Sequence, residues 1–336
     1  MLTTSRPEFA VTIAFVPAGL SDQDLKEMHR LMVLSRVFDK AMCELSNNWF
    51  PAEGEEAAAV GAFYGLEPND FAAPHYRGTH IVYHMRGAEL WRLACHALAR
   101  VDGYTYGRAF AHGGPATDMG LLPWLGGDIG PQIAQATGVA FAFKYRKQPN
   151  VVVNAFGDGM STRGDFHEAL NLAGIHKLPI VYIIHNNQWA ISTHSTRFLA
   201  NTNAVEHATA YGMYGEQFDG NDVLATHDAV ARAIEKARGG QPCLLEACTW
   251  RVRGHWAGDK LEYREFMKDV MQPRDDPIPR FEEELEKRGV LKAADLQRHW
   301  QQAQDETEQA IERAQQSPSA DTLDIGLDRV FKRRES

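Results

Sequence analysis

Two short polar turns hold the residues best suited to chemistry in this chain. Gly157-Asp158-Gly159 closes the apolar run 151–156 (VVVNAF), and Asn186-Asn187 follows a second apolar run, 178–184 (LPIVYII). A carboxylate in one turn, with a carboxamide oxygen and a backbone carbonyl in the other, makes a set of hard oxygen donors. Such donors suit Mg²⁺, which shares its shell with phosphates. A turn that opens a helix also favours an anion, by roughly 0.3–2 kcal/mol. Two nucleotide motifs fail on inspection. A G-x-G-x-x-G fingerprint breaks because Met160-Ser161-Thr162-Arg163 separates Gly159 from Gly164, and Asp165 stands where a P-loop needs lysine. Taken alone, Gly-Asp-Gly fits a plain turn with no ligand equally well. The spacing changes that: 26 residues lie between Gly159 and Asn186, room for one helix and one strand. The two turns are therefore expected at the same edge of neighbouring strands.

The elements around them read as α/β. The runs 151–156 and 178–184 are continuously apolar and β-branched, as strands of a parallel sheet covered on both faces are. A helix is expected over 165–175 between them. A further unit follows, with a helix over 227–238, a Gly-Gly-Gln-Pro turn and a strand over 243–249. Upstream, Ser21 is an N-cap candidate for a helix over 21–48, with Asp24 in its first turn. Its apolar residues recur at helical spacing through Leu25, Met28, Leu31, Met32, Leu34, Val37 and Phe38. Helices are also read at 53–64 and 88–101, with a loop over 74–78 between them. Pro131 opens another helix over 131–144. The Gly-rich, aromatic stretch 103–130 shows little periodicity, and its apolar content argues for function over disorder. Beyond 280 the chain is charged and helical. The whole reads as one doubly wound α/β domain with a mainly parallel sheet and helical additions at both ends.

Bulk properties narrow the function. The 336 residues carry a net charge of −9, so nothing draws the chain to a nucleic-acid backbone. Cys43, Cys95, Cys243 and Cys248 show no CxxC pair, which reads as buried thiols in a reducing compartment. No apolar run is long enough for a membrane span. The patch 11–16 lacks a basic leader and is interrupted by Pro17, so no signal peptide is read and a cytoplasmic setting is expected.

With Gly-Asp-Gly and Asn-Asn at this spacing, the stretch GDGMSTRGDFHEALNLAGIHKLPIVYIIHNNQWAIST resembles the thiamine diphosphate motif. It is similar to the alpha subunits of the pyruvate, branched-chain 2-oxo acid and acetoin dehydrogenase complexes. The likeness spans about residues 50–290 and is strongest over 150–195. It implies the thiamin-diphosphate-binding fold, in three parts: an N-terminal helical extension over 1–50, the cofactor domain over 51–275, and a helical tail over 276–336 that packs on the domain or on a partner. It further implies that Asp158, the Asn187 side chain and the Trp189 backbone carbonyl bind Mg²⁺. Gly157, Gly159 and Met160 would border the diphosphate.

Three other segments extend the resemblance. GEEAAAVG resembles the family segment that precedes the first cofactor contact. His75-Tyr76-Arg77 resembles a Tyr-Arg pair, which makes Tyr76 a cofactor contact and Arg77 a charge-assisted diphosphate ligand. The residues 127–132 (GDIGPQ) resemble the loop that holds the aminopyrimidine, with Gly127 in its backbone and Ile129 as an apolar wedge. The segment 250–259 (WRVRGHWAGD) resembles the loop bearing an active-site histidine. His255 would serve there as proton donor or orienting group, with a pKa near 6.5. Some positions depart from the pattern. His185, counted among the cofactor contacts, is Arg in branched-chain enzymes and often Glu elsewhere. Trp189 replaces a Tyr, and Trp256 stands where mammalian enzymes carry a regulatory serine.

The resemblance implies decarboxylation of a 2-oxo acid, with the acyl group passed to a lipoyl-bearing acyltransferase. A beta subunit would supply the carboxylate that activates the cofactor, in an assembly of two alpha and two beta chains. Acetoin cleavage and a non-catalytic structural homologue are the alternatives.

Overall fold

The computed structural model describes residues 16–17, 19–108, 117–124, 129–267 and 276–320. The chain runs through α1 (Asp22–Leu45), α2 (Glu56–Phe63), β1 (Phe71–Ala73), α3 (Thr79–Met85), α4 (Leu90–Ala97), α5 (Pro131–Tyr145) and β2 (Val152–Gly157). Then come α6 (Gly164–His176), β3 (Ile180–Asn186), the short strands β4 (Trp189–Ala190) and β5 (Thr193–His194), α7 (His207–Ala210) and β6 (Tyr214–Asp219). The last elements are α8 (Val223–Arg238), β7 (Cys243–Cys248), α9 (Glu262–Met267), α10 (Pro277–Lys287) and α11 (Ala293–Gln316).

Five strands form one sheet in the order β1-β2-β3-β7-β6, and every pairing in it is parallel. Side-chain alternation sends each strand's residues to opposite faces. Val153, Ala155, Val181, Ile183 and Leu245 join the core that includes α1, α2 and α8. Val152, Phe156, Ile180, Tyr182, Ile184 and Leu244 join the core under α5 and α6. Both faces are covered, which is why these strands read as continuous apolar runs. Burying each Val, Ile or Leu of this kind contributes about 1.5–3 kcal/mol.

Several expected elements differ at their ends for local reasons. The helix read over 53–64 starts at Glu56, because Glu55 N–H bonds Ala52 O in a turn (2.6 Å) and Glu55 becomes the N-cap. The helix read over 88–101 stops at Ala97: Ala99 takes a positive φ of 50°, and Arg100 bridges to Ser319. The helix placed at 227–238 begins earlier, because the Asp222 side chain caps it by accepting from the N–H groups of Leu224 and Ala225, both at 3.0 Å. Strand β6 was not read from the sequence. It lies at the sheet edge with most of its residues half-exposed, so its text, YGEQFD, is polar. Within the stretch 103–130, residues 109–116 and 125–128 lie outside the described residues. Its described part forms a short 3₁₀ turn at Thr117–Met119, then pairs alongside Ala72 at β1 through Leu121.

Helix α1 starts as read. Ser21 and Asp24 form a reciprocal capping box, with Ser21 N–H donating to Asp24 at 2.8 Å and Asp24 N–H donating back to Ser21 Oγ at 3.3 Å. The helix buries more than one face, however, including His29, Ser35, Arg36 and Asp39. Helix α11 returns from the C-terminal end to pack along it, and Arg30 Nη1 meets Glu306 at 3.4 Å. No helix among the described residues is long and apolar enough to cross a membrane. The four cysteines are free thiols.

Candidate active site

The carboxyl ends of the strands meet at a cleft of about 290 Å³. Gly157 sits opposite His185 in the β2–β3 register, so the two polar turns leave the sheet side by side. After β2 the chain makes a 3₁₀ turn over Asp158–Thr162 and enters α6. Ser161 Oγ donates to Asp158 O at 2.7 Å and tightens that turn. After β3, Asn186 Oδ1 accepts from Gln188 N–H at 3.0 Å, and Gln188 takes a positive φ of 65°. Asn186 Nδ2 donates in turn to buried Glu246 at 2.5 Å. The β4–β5 hairpin follows and closes over the first turn. A Cβ added at Gly159 would lie 3.0 Å from Ala190 Cβ, so only glycine leaves the two backbones this close without a shift.

Asp158 is 2% exposed. Its Oδ1 accepts from Gly159 N–H at 2.9 Å, while Oδ2 is buried with no hydrogen-bond partner among the described residues. Burial raises its pKa to about 7, with neighbouring Glu55 and Glu246 pushing the same way against the Gly159 N–H. Asn187 borders the same cleft. Its Oδ1 accepts from Trp189 N–H at 3.0 Å, and its Nδ2 donates to Glu55 Oε1 at 3.2 Å. An orphaned carboxylate oxygen beside an amide oxygen is what a cation would satisfy. Among the described residues no three His, Cys, Asp or Glu side chains cluster as a metal site. The donor set is therefore one carboxylate with neutral oxygens, which fits a hard ion that shares its shell with phosphate.

The other predicted residues divide into two groups. Tyr76, Ile129, Gly157, Gly159, Met160, Trp189 and His255 line the cleft with Asp158 and Asn187. Arg77 and His185 do not. Arg77 is 1% exposed: its Nε meets Glu55 Oε2 at 2.8 Å, Nη1 donates to Pro51 O at 2.7 Å, and Nη2 donates to His255 O at 3.3 Å. Its charge is thus engaged within the protein behind the cleft wall. His185 is buried with its ring 5.2 Å from that of His75, and both its nitrogens lack hydrogen-bond partners among the described residues. Burial first, and then Arg77, hold its pKa below the ordinary value. Gly127 lies outside the described residues.

His255 differs from its sequence reading in one respect. Burial, with Arg77 and Arg251 nearby, depresses its pKa to about 3, against the opposing effect of Asp259. The ring is therefore neutral at physiological pH, not poised near 6.5. Its Nδ1 faces Arg251 Nη1 at 3.5 Å, and a guanidinium only donates, so the ring proton belongs on Nε2. Arg251 is itself fixed by donating to Ile191 O (3.0 Å) and Tyr263 Oη (2.7 Å). Asp259 Oδ2 accepts from both His255 N–H (2.6 Å) and Tyr263 Oη (2.7 Å), which closes the loop on itself.

Sequence reasoning left out part of the cleft. Phe50, His75, Trp124, Ala190 and Ile191 also line it. Phe50 packs edge-on against Tyr76 at 5.5 Å and against His255 at 5.2 Å, and Trp124 lies 5.2 Å from Tyr76. These aromatics come from separate segments, and no periodicity marks them. Glu55 was read only within a helix and within the GEEAAAVG segment, with no role of its own.

A parallel doubly wound sheet with a carboxylate, an amide and a helix start at adjacent strand ends places the cleft where ligands bind in open α/β sheets. Comparison with known proteins makes this specific. Residues 29–322 match the family described as dehydrogenase E1 component, and the chain belongs to that family. It is 34% identical over 318 residues to the pyruvate dehydrogenase E1 component subunit alpha of Bacillus cereus, covering 91% of this chain and 82% of that one. The subunit of the same name from Bacillus subtilis (strain 168) is 32% identical over 316 residues, with the same coverage. That from Staphylococcus aureus (strain Mu50) is 33% identical over 281 residues, covering 81% of this chain and 72% of that one. These matches set the chain among the E1 alpha subunits of the 2-oxo acid dehydrogenases, a family whose cofactor is thiamine diphosphate.

Proposed function

We propose that this chain is the alpha half of a thiamine-diphosphate-dependent 2-oxo acid dehydrogenase, acting with a beta subunit and passing an acyl group to a lipoyl-bearing acyltransferase. The observation that carries the reading is Asp158 Oδ2, buried without a partner among the described residues, in a cleft that Asn187 also lines at the end of the adjacent parallel strand. Asp158, the Asn187 amide oxygen and the Trp189 carbonyl would hold Mg²⁺, and the Gly157–Met160 turn would receive the diphosphate. Tyr76 and Ile129 border the space left for the organic part of the cofactor. Arg77 contributes positive potential from behind the wall, and buried His185 keeps that wall uncharged. Bound there, thiamine diphosphate would supply the nucleophilic carbon and electron sink that decarboxylation of a 2-oxo acid needs.

The family resemblance supports a partner. Asp158 is the one carboxylate among the described lining residues, and on this reading the cation claims it. A beta subunit would then supply the second carboxylate that thiamine activation needs, in an arrangement of two alpha and two beta subunits. His255 acts as a neutral Nε2–H donor at the cleft, oriented by Arg251. Pyruvate is the first substrate to test, given the names of the relatives. Branched-chain 2-oxo acids and acetoin complete the panel.

Calorimetry of thiamine diphosphate on the complex with its beta subunit, with and without Mg²⁺, tests the reading. Binding that depends on magnesium and disappears in Asp158→Ala is the expected result. An assembled complex that binds no cofactor with magnesium present would leave the chain as a structural subunit.

A further inference from the structure

The side chain of Glu55 is fully buried at the N-terminus of α2, behind the cleft. Three strand exits converge on it. Its Oε1 accepts from Thr249 Oγ1 (2.8 Å) after β7 and from Asn187 Nδ2 (3.2 Å) after β3, while Oε2 meets Arg77 Nε (2.8 Å) after β1. We propose that Glu55 is a positioning residue: it dictates which way the Asn187 amide faces, and so presents that amide's oxygen to the cation site. The proposal rests on the cofactor reading above.

The argument is one of donors and acceptors. The oxygen and nitrogen of a side-chain amide have nearly the same shape, and only the surrounding hydrogen bonds decide which is which. A carboxylate paired with a guanidinium accepts and never donates. Facing it, Asn187 must turn its NH₂ group inward. Its oxygen then faces the Trp189 turn, where it accepts from Trp189 N–H at 3.0 Å. The flipped amide would set oxygen against carboxylate at one end and NH₂ against N–H at the other. Asn187 is only 6% exposed, so little water is on hand to compensate. Asn187 and Asp158 line the same cleft, and on the cofactor reading the oxygen that Glu55 orients would join Asp158 Oδ2 in the donor set.

The Mg²⁺ concentration that half-saturates thiamine diphosphate binding, read by calorimetry on the alpha–beta complex, tests this without measuring turnover. Glu55→Met keeps the bulk but offers no oxygen acceptor, and the magnesium requirement should rise about tenfold or more. Glu55→Gln keeps one oxygen acceptor but sets its NH₂ against either Arg77 or Asn187, so its requirement should fall between that of the unsubstituted complex and that of Glu55→Met. If Glu55 served only as a charge partner for Arg77, Gln would fail as badly as Met. Asn187→Asp probes the same point with Glu55 intact, should Glu55→Met not assemble. Added negative charge ordinarily tightens Mg²⁺, whereas a carboxylate turned against Glu55 should weaken it. Tighter magnesium binding in Asn187→Asp, or a Glu55→Met complex with an unchanged requirement, would overturn the positioning role. If the unsubstituted complex binds thiamine diphosphate without regard to magnesium, the cofactor reading falls first and this role with it.

Discussion

Replacing Asp158 by Asn should stabilise the cofactor-free protein while removing its cation site. The carboxylate is buried, its Oδ2 has no partner among the described residues, and its pKa stands at about 7 against an ordinary 3.8. A pKa raised in the folded state gives stability that is complete below the unfolded value and is lost as pH rises through the folded one. At pH 8 the folded chain therefore carries an ionised, unsatisfied carboxylate. The shift sets a ceiling of roughly 4 kcal/mol on that cost, at about 1.4 kcal/mol for each pH unit. Asn keeps an oxygen for Gly159 N–H and brings no charge, so part of this cost should be recovered, on the order of 1–3 kcal/mol once relaxation is allowed. The assay is thermal unfolding of the cofactor-free complex at pH 5 and pH 8, with and without Mg²⁺ and thiamine diphosphate. Asn at position 158 should raise the midpoint by a few degrees at pH 8 and by about half as much or less at pH 5, which lies partway through the window of loss. It should also abolish the further rise that the ligands give the unsubstituted complex. A variant less stable than the parent at pH 8, or equally stabilised at both pH values, refutes the claim that this carboxylate is held ready for a cation.

Two further outcomes follow from the same geometry. His255→Ala should leave magnesium-dependent cofactor binding in place while acyl transfer to the lipoyl carrier drops by about 10²-fold or more, as expected when a positioned donor is removed. Because the ring is neutral with its pKa near 3, the kcat/KM profile of the parent should lack any inflection near pH 6.5 that this variant removes. Gly54→Ala should destabilise the complex by roughly 2–4 kcal/mol, read from its denaturant midpoint. Gly54 has φ +96°, and an added Cβ would strike Trp250 O and crowd Val252, where the His255 loop leaves the sheet.

What could be read in advance, and what could not, divides along a physical line. The strands β2, β3 and β7 were legible because two covered faces leave a continuous apolar signature, and the two polar turns were legible because they interrupt it. Their interval, room for one helix and one strand, matches the pairing of β2 with β3 that brings Asp158 and Asn187 to one cleft. Strand β1 escaped because three residues are too few to show a pattern, and β6 because an edge strand need not be apolar. The aromatic wall of Phe50, Tyr76 and Trp124 escaped for another reason: its members meet only through the fold.

The misreadings at charged residues share one cause. From sequence, Arg77 is a cation available to phosphate and His255 an imidazole with an ordinary pKa. In the structure the guanidinium is buried against Glu55, and burial, together with the fields of Arg77 and Arg251, keeps His255 neutral. Neither outcome follows from residue type or spacing, because each depends on burial and on a partner more than 20 residues away in the chain. Glu55 shows the point most sharply. It sits in a run of helix-forming residues that reads as part of a helix, yet it meets three of the segments that build the cleft. The residues that touch a ligand can be recognised by their chemistry. Those that orient them must match a local donor or acceptor in space, and that match becomes visible only when the strand ends are brought together.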